Sequence, residues 1–211
     1  MKYKCIIFDC DGVLVDSEYI SNATLVAMAS DLGVSISDEY ALKHFSGKSL
    51  KYCFDYIENL YGLKLPEDFE EQFRTKTFEA FTNDLQPIKG IHSVLKRIDI
   101  PFCVASNGPL EKTKLNLTVT NLIDYFEGKI FSAYEIGSWK PNPELFLFAA
   151  KNMGFEPHEC LVVEDSISGI QAAKAGGFDV IGFVNDNNQE RFAAENIRLC
   201  YDMNELDRFL N

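Results

Sequence analysis

The chain has 211 residues, enough for one substantial core and one inserted subdomain. Its 32 acidic and 20 basic side chains give a net charge of −12, which argues against binding to nucleic acid or to an anionic membrane. The six cysteines lack CxxC spacing, and no apolar run is as long as a membrane span. We therefore expect a soluble, cytoplasmic protein with reduced cysteines, and a monomer.

The first predicted element is a buried strand that ends in two carboxylates. Residues 5–8 form a continuous apolar run, typical of a central strand in a parallel sheet. Asp9 and Asp11 follow it and precede Gly12, at the end of the strand where open α/β sheets bind ligands. Neither aspartate has a basic residue beside it in sequence, so a bound cation is the simplest compensation for their repulsion. An ordinary Asx-type turn is the alternative.

Helical patterns occupy the next part of the chain. They predict helices at 18–33, 38–45, 49–61 and 67–81, the last with Pro66 at its N1 position. No convincing strand occurs between Ser17 and Leu85, so this block indicates an inserted cap. We predict a helical cap domain at residues 17–87 and a catalytic core domain at residues 1–16 and 88–211.

After Gly90, strands alternate with helices. The pattern predicts strands at 101–105, 129–131, 160–163 and 179–183, separated by helices at 91–97, from about 109, at 143–153 and up to 174. Alternation with short connections predicts an α/β fold, a doubly wound parallel (Rossmann-like) sheet that carries the small inserted cap.

Polar side chains end three more of these strands. They are Ser106 and Asn107, Lys140, and the pair Glu164 and Asp165. Each group has an ordinary explanation by itself, as a turn, a solvated lysine before a helix, or acids that cap a helix. The carboxyl ends of parallel strands meet at one edge of the sheet, so all these explanations would have to coincide there. The set therefore favours a catalytic site.

These motifs resemble those of the haloacid dehalogenase-like superfamily of phosphohydrolases. The family's motifs are DxDG, Ser or Thr, Lys and a paired acid, and they stand here in that order as Asp9-Cys10-Asp11-Gly12, Ser106, Lys140 and Glu164-Asp165. The resemblance covers the whole chain. It implies that the helical insert is the small cap of the β-phosphoglucomutase-like branch.

The resemblance also implies roles for the carboxylates. Asp9 would be the nucleophile that forms an aspartyl-phosphate intermediate, and Asp11 the general acid and base. The implied cofactor is Mg²⁺, bound by the carboxylate of Asp9, the backbone carbonyl of Asp11 and the carboxylate of Asp165. Glu164 would bind the ion directly or support its ligands.

Phosphate contacts follow from the same resemblance. Ser106 and the backbone amides after it would donate hydrogen bonds to the phosphoryl oxygens, with Asn107 among the phosphate-binding residues, and Lys140 would balance negative charge. Lys48 lies in the cap at Gly47-Lys48-Ser49, a place where this family often contacts substrate. We expect it to touch an anionic group of the substrate, although an exposed lysine at a helix start is the alternative.

The predicted function is a Mg²⁺-dependent phosphatase for a small phosphorylated metabolite, a sugar or sugar-acid phosphate. The segments at 106–109 and 139–141 are similar to those of bacterial 6-phosphogluconate phosphatases, which suggests 6-phosphogluconate as a substrate. A phosphomutase is the nearest alternative, but Ser21 and Leu50 stand where that branch has a histidine and an arginine. A pyrophosphatase or nucleotidase remains open, and a non-catalytic binding protein is disfavoured because every catalytic carboxylate is present.

Overall fold

The computed structural model describes residues 2–185 and 188–210. The chain folds into two compact units. The larger comprises Met1–Asp16 and Gln86–Asn211, and the smaller is Ser17–Leu85. The second junction thus falls two residues before the boundary that we predicted after residue 87.

Six strands in the described part of the larger unit form one parallel sheet. They are β1 (Cys5–Phe8), β2 (Phe102–Ser106), β3 (Ile130–Ser132), β4 (Cys160–Glu164), β5 (Asp179–Phe183) and β6 (Arg198–Cys200). Their order across the sheet is β3-β2-β1-β4-β5-β6, and every neighbouring pair is parallel. This is the order of a doubly wound sheet, in which ligands bind where the order reverses, here between β1 and β4. The predicted fold class is confirmed.

Four helices belong to the smaller unit and six to the larger one in the described residues. They are α1 (Glu18–Asp31), α2 (Asp38–Phe45), α3 (Leu50–Tyr61), α4 (Phe69–Asp84), α5 (Ile91–Arg97), α6 (Leu110–Val119), α7 (Ala133–Ile136), α8 (Glu144–Met153), α9 (Ile167–Ala175) and α10 (Gln189–Phe192). Short 3₁₀ helices occur at Ile123–Tyr125, Pro157–Glu159 and Met203–Phe209.

The sheet positions the site because its central strand has no exposed face. All four residues of β1 are fully buried, and Ile7 pairs with Cys103 of β2 and Val162 of β4. A strand covered on both faces needs apolar residues throughout, which explains the continuous run. Helix α8 packs against β1, β2 and β3, whereas α9 packs against β4 and β5. The carboxyl ends of β1 and β4 therefore lie side by side within a rigid framework.

The smaller unit is an all-helical body with a hydrophobic core of its own. Residues 17–85 are all described and contain no strand, as predicted. The side chains of Ser37 and Ser49 cap α2 and α3 by accepting hydrogen bonds from backbone N–H groups. Phe45, Ile57 and Phe73 are among the buried residues of this core.

Several predicted boundaries are wrong. Helix α4 begins at Phe69 with Asp68 as its N-cap, so Pro66 is not at N1. Helix α1 ends at Asp31, and Gly33, with a φ of +79°, terminates it two residues later, as the sequence predicted. Strand β6 was not predicted, because it has three residues at the sheet edge and its first one, Arg198, is exposed.

The predictions about cysteines and membrane spans have clear outcomes. All six cysteines are buried free thiols, as the sequence predicted. No helix within residues 2–185 and 188–210 is long and apolar enough to cross a membrane.

Two leucines of α8 test the packing of this helix against the sheet. Leu145 is fully buried in the core of the larger unit, whereas Leu147 on the same helix is 37% exposed. Leu145→Ala should lower the free energy of unfolding by about 2–5 kcal/mol, because the lost side chain leaves a cavity. Leu147→Ala, the control, should cost far less. Urea unfolding of both variants measures this, and equal losses would contradict the packing described.

Candidate active site

A tight turn presents the two aspartates at the end of β1. The backbone N–H of Asp9 donates to Val163 O on β4 at 3.0 Å, so Asp9 remains in register with the sheet. Gly12 has a φ of +79° and donates its N–H to Val15 O at 2.8 Å, which closes the turn. Glycine adopts this conformation without steric cost. The turn thus lies directly over the point where the strand order reverses.

Lys140 makes the central contact of the site. Its Nζ donates to Asp9 Oδ1 at 2.6 Å, to Glu164 Oε1 at 2.7 Å and to Ala105 O at 3.0 Å. These contacts use all three ammonium protons, and the side chain is only 2% exposed. Lys140 therefore links the carboxyl ends of β1, β2 and β4.

Asn107 positions Lys140 through its side chain. Its Oδ1 accepts from Lys140 N at 2.9 Å, and its Nδ2 donates to Lys140 O at 3.4 Å. Both ends of this amide are thus engaged with the backbone of Lys140, so the side chain holds the loop that carries the lysine. The phosphate contact of Asn107 stays a prediction.

Ser106 and Gly108 form a compact corner after β2. Ser106 is buried, and its Oγ accepts a hydrogen bond from Gly108 N at 3.0 Å. Ser132, at the end of β3, donates from its Oγ to Gly108 O at 2.7 Å and fixes the other side of the corner. The neighbouring strand thus holds the loop that was predicted to bind phosphate.

Glu164 is engaged at both carboxylate oxygens. Oε1 accepts from Lys140, and Oε2 accepts from the N–H and the Oγ of Ser166, each at 2.8 Å. Gly169 makes room for this carboxylate, since a Cβ there would lie 1.9 Å from Glu164 Cδ. The Oγ of Ser166 also accepts a hydrogen bond from Gly169 N and so caps α9. The helix cap is therefore this serine and neither Glu164 nor Asp165.

Asp165 lies against the turn after β1. It is buried, and a Cβ on Gly12 would lie 2.1 Å from its Oδ2. Asn188, itself buried, donates to Asp165 O at 2.9 Å and to Phe183 O at 3.0 Å. This asparagine connects the ends of β4 and β5 and fixes the backbone of Asp165.

Helix α6 holds the carboxylate of Asp11. Lys112 Nζ donates to Asp11 Oδ2 at 2.7 Å, and Asn116 Nδ2 donates to Asp11 Oδ1 at 3.3 Å. Burial disfavours the charge of Lys112, but the Asp11 carboxylate outweighs it and raises the pKa of Lys112 above its usual value. Part of the positive charge that balances the two aspartates therefore comes from Lys112 and Lys140, which are distant in sequence, and not from a cation alone.

The site nevertheless has an excess of negative charge. Burial raises the pKa of Asp9 to about 7, and Lys140 opposes this rise while Glu164 adds to it. Burial also disfavours the charge of Lys140, yet the carboxylates of Asp9 and Glu164 hold the pKa of Lys140 above its usual value. The two shifts have different main causes, which are burial for Asp9 and the neighbouring carboxylates for Lys140.

The donor set fits a hard divalent cation. Ligand oxygens of Asp9, Glu164 and Asp165 all lie within 4.8 Å of one another, and all three residues are buried. Glycine at position 12 leaves the space beside Asp165 that a side chain would fill. Carboxylate oxygens are the ligands that Mg²⁺ prefers. Because Glu164 already accepts hydrogen bonds at both oxygens, Asp9 and Asp165 are the better placed direct ligands.

The larger unit brings together every predicted residue that belongs to it, from Asp9 to Asp165. Lys48 lies in the smaller unit, where it is exposed and its Nζ is 5.4 Å from the centre of the Tyr52 ring. Five side chains were missed, namely Lys112, Asn116, Ser132, Ser166 and Asn188. Only Ser166 had a signal in the sequence, as a serine before a helix.

Comparison with known proteins identifies the family. Residues 3–177 match the model of the haloacid dehalogenase-like hydrolases. This chain belongs to that family. It is 35% identical to 6-phosphogluconate phosphatase of Escherichia coli K12 over 88% of this chain and 84% of that protein. It is also 26% identical to hexitol phosphatase B of the same strain, over 92% and 90% of the two chains.

A solved structure agrees with this assignment. A haloacid dehalogenase-like protein of unknown function from Agrobacterium tumefaciens superposes with a TM-score of 0.90 at 30% identity, over 99% of this chain and 97% of that one. The predicted family is confirmed, and so is the predicted class of enzyme, a phosphatase among the hydrolases.

Two glycines with the same positive φ test the cation site. Gly12 and Gly33 both have a φ of +79°, but a Cβ on Gly33 would meet no atom within 4 Å. Both alanine variants carry the same backbone strain of about 1–2 kcal/mol. Only Gly12→Ala also displaces Asp165, so it should weaken Mg²⁺ binding by about 10- to 100-fold. Isothermal titration calorimetry measures this, and equal Mg²⁺ affinity in both variants would contradict the assignment.

Proposed function

We propose that this protein is a Mg²⁺-dependent phosphatase that hydrolyses a small phosphorylated metabolite through an aspartyl-phosphate intermediate. The observation that supports this most strongly is the buried Lys140, which contacts Asp9 and Glu164 at 2.6 and 2.7 Å beside the carboxylate of Asp165. A buried lysine keeps one carboxylate oxygen oriented and partly neutralised, which a carboxylate needs if it is to approach a dianionic phosphate.

Asp9 is the proposed nucleophile and Asp11 the proposed acid and base. A carboxylate oxygen of Asp9 forms a bond to phosphorus while the bond from phosphorus to the ester oxygen breaks, and Asp11 gives a proton to that oxygen. Asp11 then takes a proton from water, whose oxygen bonds to phosphorus as the bond to Asp9 breaks. Phosphate and the alcohol are the products, and both aspartates are regenerated.

Ser106 and the backbone N–H of Asn107 are the proposed phosphate contacts, and Lys140 is proposed to balance the negative charge of the phosphate. Mg²⁺ would be held by the carboxylate of Asp9, the backbone carbonyl of Asp11 and the carboxylate of Asp165, with Glu164 acting directly or through Lys140. When bound, the ion supplies positive charge that stabilises the phosphoryl oxygens in the transition state.

The proposed substrates are phosphate esters of sugars or sugar acids, with 6-phosphogluconate as the leading candidate. The names of two relatives refer to such compounds, 6-phosphogluconate in one case and hexitols in the other. We propose that Lys48 contacts an anionic group of the substrate away from the phosphate. Its exposed position in the smaller unit supports this assignment.

The reaction itself has a direct test. The purified protein should hydrolyse p-nitrophenyl phosphate with Mg²⁺ and lose activity with EDTA. Asp9→Asn should lower kcat by about 10³-fold or more, since it removes the nucleophile. Asp99→Asn, an exposed carboxylate of the same unit, should leave kcat unchanged. Steady-state kinetics measures these outcomes, and an Asp9→Asn variant of full activity would exclude Asp9 as nucleophile.

Substrate choice tests Lys48. Sorbitol 6-phosphate resembles 6-phosphogluconate but lacks its carboxylate. Lys48→Ala should lower the preference for 6-phosphogluconate, as a ratio of kcat/KM values, by about 10-fold or more because a charged contact is lost. Lys51→Ala, a neighbouring lysine paired with Asp55, is the control and should keep the ratio. An unchanged ratio in Lys48→Ala would remove Lys48 from the substrate site.

A further inference from the structure

Two residues of α6 reach the carboxylate of Asp11 from the same side. Lys112 and Asn116 are four residues apart, so they lie on one face of the helix. Lys112 donates to Oδ2 at 2.7 Å, and Asn116 donates to Oδ1 at 3.3 Å. A donor on each oxygen fixes the rotation of the carboxyl group about both of its side-chain bonds.

The contact lies beside the corner that carries Ser106. A Cβ placed on Gly108 would lie 3.3 Å from Ser106 Oγ, 3.5 Å from Lys112 Cδ and 3.9 Å from Asp11 Oδ2. Helix α6 starts at Leu110, directly after this corner. The helix that carries the two groups holding Asp11 therefore begins directly after the loop proposed to contact phosphate.

The burial of Asn116 costs free energy of folding, because one of its polar atoms has no partner. It is fully buried, and its Oδ1 has no hydrogen-bond partner in the part of the chain that the structure describes. An unpartnered buried carbonyl oxygen costs about 1–3 kcal/mol. The same amide directs its Nδ2 at Asp11, which is the one polar contact of this side chain among those residues.

We propose that Lys112 and Asn116 are positioning residues, which hold Asp11 in the orientation that transfers a proton to the departing oxygen. The proposal rests on the proposed function, in which Asp11 is the acid. Its consequence is specific. Loss of these contacts should lower the rate of hydrolysis most for esters whose leaving group needs a proton. Esters whose leaving group departs as a stable anion should be affected far less.

Two aryl phosphates measure this directly. Phenol has a pKa of about 10 and leaves poorly without a proton, whereas the nitro group of p-nitrophenolate stabilises the anion. Lys112→Met should lower kcat/KM for phenyl phosphate at least about 10-fold more than for p-nitrophenyl phosphate, within the 10²–10⁴-fold range of proton-transfer catalysis. Lys112→Arg, which keeps the charge and the donor, should recover part of the loss.

Two further variants separate positioning from a general structural effect. Asn116→Leu should shift the ratio of the two substrates in the same direction without lowering the urea midpoint, because it removes the unpartnered oxygen. Lys114→Met removes an exposed lysine from the same helix and should leave both rates unchanged.

The alternative is that Lys112 binds the substrate phosphate. In that case Lys112→Met would raise KM equally for both esters, and this outcome, or an unchanged ratio in a folded variant, would overturn the proposal. A wild-type protein inactive on both esters would instead contradict the proposed function. The two failures are therefore distinguishable.

Discussion

One buried ammonium group organises the active site. Lys140 contacts Asp9, Glu164 and the carbonyl of Ala105, which end three adjacent strands of the sheet. Removal of one partner from a buried ion pair costs about 3–5 kcal/mol, because the other charge is left uncompensated. Asn107 fixes the backbone of Lys140 from the neighbouring loop. The geometry of Asp9, the proposed nucleophile, therefore depends on a residue 131 positions away in the chain.

Two glycines and helix α6 position the other carboxylates of the site. Gly12 and Gly169 leave room for Asp165 and Glu164, which no larger residue would allow. Helix α6 then holds Asp11 apart from the pair formed by Lys140 and Asp9. Different elements thus hold the two aspartates of one motif, which suits the separate tasks proposed for them, as nucleophile and as proton donor.

Much of this could be predicted from sequence because parallel strands align their carboxyl ends. Apolar runs located β1, β2 and β4, and the polar residues after each run could only meet at one edge. The contacts that the sequence did not predict depend on the direction of side chains and on residues that are far apart in the chain but close in the fold. The amide of Asn107 both donates and accepts hydrogen bonds, so the sequence did not reveal that this side chain would hold the backbone of Lys140. Lys112 and Asn116 look like ordinary helix residues until the fold brings Asp11 to them.

The central claim is that Asp9 carries the phosphoryl group. Asp11→Asn slows the activation of water while p-nitrophenolate still leaves, so the covalent intermediate should accumulate in this variant. Acid quenching during turnover of p-nitrophenyl phosphate, followed by mass spectrometry of peptides, should find one added phosphoryl group on Asp9. A burst of p-nitrophenol with no phosphoryl group on the protein, or with the group on another residue, would contradict the account.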